Sequence, residues 1–102
     1  MNITRVQIHI LRGDPTNKVK AYADILLDDE FIIKGLAVRE DQEGYTFVTM
    51  PYRMVEGTRL DIAHPLKESC RQYIETRVLD EYEVVLNKIT SAKGSASEPA
   101  GN

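Results

Sequence analysis

The chain has 102 residues, 42% of them hydrophobic and 28% charged, with a net charge of −3. That length holds one hydrophobic core and not two, and the composition is that of a globular domain rather than of a disordered or membrane-embedded chain. The acidic balance argues against a protein that coats nucleic acid through overall positive charge, but leaves room for a local basic patch that a symmetric dimer would double.

No apolar run approaches the roughly 20 residues of a membrane span, and Met1–Arg12 lacks the basic-then-apolar organisation of a signal peptide, so a soluble, cytoplasmic protein with no membrane partner is expected. The single cysteine, Cys70, has no partner for an internal disulfide, and no thiol pairs of a structural zinc site are present. The fold is expected to rest on packing alone.

Val6, Ile8 and Ile10 alternate with Arg5, Gln7 and His9, which predicts a half-buried strand over Ile3–Leu11. Gly13, Asp14, Pro15 and Asn17 then predict a turn. Alternation resumes from Lys18 to Leu27, with Val19, Ala21, Ala23, Ile25 and Leu27 on one face. After the acidic turn Asp28-Asp29-Glu30, the run Phe31–Val38 is apolar on both faces. That loss of alternation predicts a strand covered by a helix on one side and by a partner chain on the other, with Gly35 marking a bulge or a close backbone approach. A homodimer through Phe31, Ile32, Ile33, Leu36 and Val38 is the resulting expectation.

Asp41–Gly44 reads as the next turn and Tyr45–Met50 as a fourth strand, ended by Pro51. Tyr52–Val55 and Thr58–Ile62 are candidate arms of a short hairpin about Glu56-Gly57. A helix is predicted over Leu66–Ile89, with Pro65 at its start. Leu66, Cys70, Tyr73, Ile74, Val78, Tyr82, Val85 and Ile89 recur at three- and four-residue steps and define the buried stripe. Residues 91–102 carry no apolar side chain larger than alanine and are expected to form a disordered tail after a single domain over residues 1–90. The fold class is α+β: a small antiparallel sheet of four to five strands packed by one long C-terminal helix.

Few residues suggest chemistry. Asp61 and His64 form the only nearby acid–base pair, and no third group completes a catalytic set. The plainer reading has His64 capping or packing beneath the helix start while Asp61 accepts backbone hydrogen bonds. His9 and His64 lack the spacing of metal ligands, and Cys70 falls on the apolar stripe, where a thiol is inert. No cofactor, metal, small-molecule substrate or enzymatic activity is expected.

The remaining candidates are cationic. Arg53, Arg59, Lys67 and Arg71 cluster in sequence about the hairpin and the helix start, where phosphates find donors and a favourable helix dipole. Tyr52 either stacks on an unpaired base or packs on Met54.

The motifs Leu27-Asp28-Asp29-Glu30-Phe31, Met50-Pro51, Asp61-Ile62-Ala63-His64-Pro65 and Leu79-Asp80-Glu81-Tyr82 resemble those of the stage V sporulation protein G family, the bacterial septation and sporulation regulators. The resemblance runs from about Ile3 to Tyr82. It implies an antiparallel sheet followed by a C-terminal helix, a homodimer, and site-preferring binding to DNA or RNA, or both, in gene regulation. Arg71 matches a basic position of the family. In the stretch Tyr52–Asp61, which in the family is rich in lysine and arginine, the basic residues here are Arg53 and Arg59, with Met54 and Leu60 where the family tends to carry charge. The alternative is a homodimeric protein-interaction module that binds no nucleic acid.

Overall fold

The computed structural model describes residues 2–11 and 18–97, with side chains described up to residue 89. The turn expected at 12–17 lies outside the described residues. Strands β1 (Ile3–Ile10), β2 (Val19–Leu27), β3 (Phe31–Glu40) and β4 (Thr46–Thr49) form one antiparallel sheet in the order β1-β2-β3-β4. Strands β5 (Tyr52–Val55) and β6 (Thr58–Asp61) form a separate two-stranded ribbon, and helix α1 spans Glu68–Ser97. The α+β architecture expected from the sequence is thus the one observed.

Each turn has a chemical cause. Asp28 and Asp29 both take positive φ between β2 and β3, and the Glu30 amide closes the turn on the Leu27 carbonyl at 2.9 Å. The start of β1 pins this turn from outside: the Asp28 amide donates to the Asn2 carbonyl, and the Asp29 amide to the Thr4 hydroxyl. Between β3 and β4 one Asp41 carboxylate oxygen accepts the amides of Glu43 and Tyr45, each at 2.9 Å. Such a side chain imitates a backbone turn. Glu56 and Gly57 both have positive φ, as a two-residue hairpin turn requires.

The apolar run of β3 has a different origin from the one its composition suggests. Ala23 pairs with Leu36 and Ile25 with Ile33, so two residues of β2 span three of β3. The extra residue is a bulge at Gly35, whose φ is +91°, and a Cβ there would stand 3.5 Å from that of Pro51. The bulge joins two half-strands that each alternate, so Ile33, Leu36 and Val38 share the inner face while Ile32 and Ala37 share the outer one. Leu36 and Val38 are fully buried in the chain's own core. Of the five residues expected at a dimer contact, only Phe31, Ile32 and part of Ile33 present surface to a partner.

Helix α1 covers the inner face. Ile74, Val78 and Tyr82 lie four residues apart and pack, with Cys70 and Tyr73 beside them, on Val6, Ala21, Ala23, Ile25, Leu36, Val38 and Val48. Burial of one such aliphatic side chain stabilises by about 1.5–3 kcal/mol. The helix also secures both sheet edges: Glu75 Oε2 accepts the Val48 amide of β4 at 3.1 Å. At the other edge the Tyr73 hydroxyl accepts the Ile3 amide at 2.9 Å, and Arg77 donates to the Ile3 carbonyl.

The helix begins later than Pro65 suggests. Its first bond runs from the Arg71 amide to the Lys67 carbonyl, which makes Lys67 the N-cap, and Leu66 lies outside the helix and 93% exposed rather than on the buried stripe. At the other end the helical backbone continues to Ser97, past the expected end at Ile89, because adding residues to a formed helix is far cheaper than nucleating one. The rest of the expected tail, residues 98–102, lies outside the described residues.

Candidate nucleic-acid interface

The pairing of the β5–β6 ribbon decides where its cations point. Arg53 pairs with Leu60 and Met54 with Arg59. Directly opposed residues share a face and neighbours alternate, so Arg53 and Arg59 lie on opposite faces of the ribbon. The sequence cluster is therefore divided: Arg53 goes with Leu60, and Arg59 with Tyr52, Met54 and Asp61.

On the Arg59 face a small polar assembly forms. The Arg59 guanidinium lies 4.3 Å from the centre of the Tyr52 ring, a cation–π contact worth about 0.5–1 kcal/mol at an exposed site. Its Nε stands 3.3 Å from Asp61 Oδ1, and His64 Nδ1 approaches the other Asp61 oxygen at 3.7 Å. The Asp61 carboxylate thus holds two side chains rather than the expected backbone amides. Tyr52, for which stacking on a base and packing on Met54 are the two readings, carries Arg59 on its ring and accepts a 3.0 Å hydrogen bond from Arg39 Nη2. Arg39 Nε donates to the Thr49 hydroxyl at 3.3 Å.

The line Arg39–Tyr52–Arg59 was missed in sequence because its members come from β3, β5 and β6. A guanidinium has five N–H donors in a planar fork, so Arg39, tethered through Nε and Nη2, keeps donors for a phosphate or a base edge. Arg53 is exposed, and among the described residues its side chain makes no hydrogen bond or ion pair. Lys67 is exposed at the N-cap and Arg71 half-buried one turn into α1; they share the helix start rather than a face of the ribbon.

The joint between ribbon and helix is a structural hinge. The Ile62 amide donates to the Pro51 carbonyl at 2.8 Å, and Pro51, His64, Pro65 and Cys70 help line an apolar cavity of about 110 Å³. Among the described residues no group of three or more His, Cys, Asp and Glu is placed to hold a metal, and no helix is long and apolar enough to cross a membrane.

A four-stranded antiparallel sheet with one helix on its inner face and a two-stranded ribbon beside it defines a small α+β class. Within that class the family is shown directly. The SpoVG family model matches residues 1–84, and the chain is 40% identical to the "Putative septation protein SpoVG" of Clostridium novyi over 92 residues, 89% of each chain. It is 40% identical to the protein of that name from Finegoldia magna over 91% of this chain and 84% of the relative. The one from Anaeromyxobacter is 38% identical over 99% of this chain and 96% of the relative. The chain belongs to the SpoVG family.

Proposed function

We propose that this protein works by binding rather than by catalysis, as a homodimeric, site-preferring nucleic-acid-binding regulator acting in septation or sporulation. The observation that carries the reading is the Arg39–Tyr52–Arg59 line. Arg59 lies over the Tyr52 ring and Arg39 donates to its hydroxyl, while Arg53, with no side-chain partner among the described residues, stands on the opposite face of the ribbon, and Lys67 and Arg71 lie at a helix N-terminus. Phosphates take such donors, and the helix dipole adds favourable potential within its first turn. The membership in a septation family agrees with a regulatory role. The dimer contact of this reading is Phe31 and Ile32 at the tip of the β2–β3 hairpin, 64% and 45% exposed.

The test is a titration of duplex and single-stranded pools against salt. Removing one arginine–phosphate pair should reduce the log–log slope by about 0.9 on a duplex and about 0.7 on a single strand. Arg53→Ala/Arg59→Ala should therefore bind more weakly and with a shallower slope than wild type; equal, weak binding by both at low salt would refute the reading.

A second reading, a protein-interaction module, draws on the exposed Leu60 and Ile62, which border one surface hollow at the end of the ribbon, apolar surface of the kind that marks partner sites. It requires a partner that stays bound after nuclease treatment.

A further inference from the structure

Among the described residues, the ribbon and helix leave much of the outer face of the four-stranded sheet uncovered. Among the described residues α1 packs on the inner face, and only Tyr52 of the ribbon reaches the outer one, through Arg39. Strand register puts His9, Tyr22, Ala37 and Thr49 in one outer row, and Arg39 and Phe47 in the next. Tyr22 and Phe47 are 44% and 37% exposed. They stand two strands and one row apart, about 12 Å between their Cα atoms by sheet geometry, with Arg39 between them. Small Ala37 and Thr49 keep the intervening surface low.

The guanidinium groups of the outer rows are Arg5 and Arg39, and Arg5 is exposed with no side-chain partner among the described residues. The carboxylate within those rows, Asp24, is drawn down to 12% side-chain exposure and sits 3.2 Å from His9 Nε2. Glu40, next along β3, pairs with Lys20, and with Asp41 and Glu43 it borders the Phe47 end of the face. Two guanidinium groups and two separated aromatic rings on one face of a protein of net charge −3 suit a polyanion with exposed π surfaces. Duplexes hide their base faces; single strands offer them.

We propose that the outer sheet face binds single-stranded nucleic acid, with Tyr22 and Phe47 each stacking on a base and Arg39 and Arg5 holding the backbone. The inference rests on the nucleic-acid reading above and specifies the form of nucleic acid and the surface that takes it.

The test compares wild type with Tyr22→Leu, Phe47→Leu and the double variant, using a fluorescent oligo(dT) of about a dozen nucleotides and a duplex of equal length, with mass followed by light scattering. Leucine keeps apolar area and removes the aromatic plane, and Tyr22→Phe, which keeps the plane, serves as the rescue. Each leucine should weaken oligo(dT) binding roughly five- to a hundredfold, with duplex binding and mass unchanged and Tyr22→Phe close to wild type. Unchanged oligo(dT) binding by the double variant would overturn the proposal while leaving the nucleic-acid reading intact. A fall from dimer to monomer mass in the leucine variants would assign the face to a second copy and equally overturn it. If wild type binds neither probe, both readings fall together.

Discussion

Single residues in this fold are held by identifiable causes, and Tyr82 shows how one of them responds to pH. Its ring is 7% exposed against the sheet, and its pKa is raised above the usual 10, first by burial and then by Glu40 and Glu83. A raised folded-state pKa means that the stabilisation is complete below the unfolded value and is lost as pH climbs through the folded one. In an alkaline titration followed by phenolate absorbance, Tyr82 should ionise after tyrosines of ordinary pKa, and Tyr82→Phe should remove that late step. Gly35 is a second case. Its φ of +91° disfavours any side chain, whereas the 3.5 Å approach to Pro51 is ordinary contact. Gly35→Ala should therefore cost about 1–2 kcal/mol, read as a lower denaturant midpoint with unchanged slope.

At the scale of elements, what was legible in the sequence was whatever local chemistry decides. The strands over Ile3–Ile10 and Val19–Leu27, the Glu56-Gly57 turn and the four-residue series Cys70, Ile74, Val78, Tyr82 all emerge close to where alternation and turn residues put them. Gly35 was rightly expected to mark a bulge or a close backbone approach, but Phe31–Val38 read as apolar on both faces because the extra residue in β3 joins two halves that alternate out of phase. The divergence of Arg53 and Arg59 was available in principle, since a two-residue turn at Glu56-Gly57 forces Arg53 opposite Leu60. Arg39 was not, because its hydrogen-bond partners, Thr49 and Tyr52, lie on other strands. Nor was the clamp from Glu75 to the Val48 amide, which spans 27 residues. Glu75→Ala leaves that part-buried amide without its acceptor and should destabilise by about 1–3 kcal/mol, with Glu75→Gln retaining most of the stability in the same denaturation measurement.

Over the described residues, the helix takes the inner sheet face, the ribbon and joint carry Arg53, Arg59 and Lys67, and the outer face and hairpin tip keep exposed side chains. If the tip carries the dimer, Phe31→Glu with Ile32→Glu should halve the mass seen by light scattering at micromolar concentration while far-ultraviolet circular dichroism is unchanged. Both side chains are exposed in the single chain, so its core does not depend on them. An unchanged mass would move the interface elsewhere.

The proposed function requires a protein of net charge −3 to bind nucleic acid through a few placed arginines. The most direct measurement is the affinity of wild type and of Arg53→Ala/Arg59→Ala for nucleic acid across a salt series. Measurable binding at low salt is expected, with a log–log slope shallower by about one to two units in the variant. Absence of binding by wild type at low salt, or identical slopes for the two proteins, would contradict it.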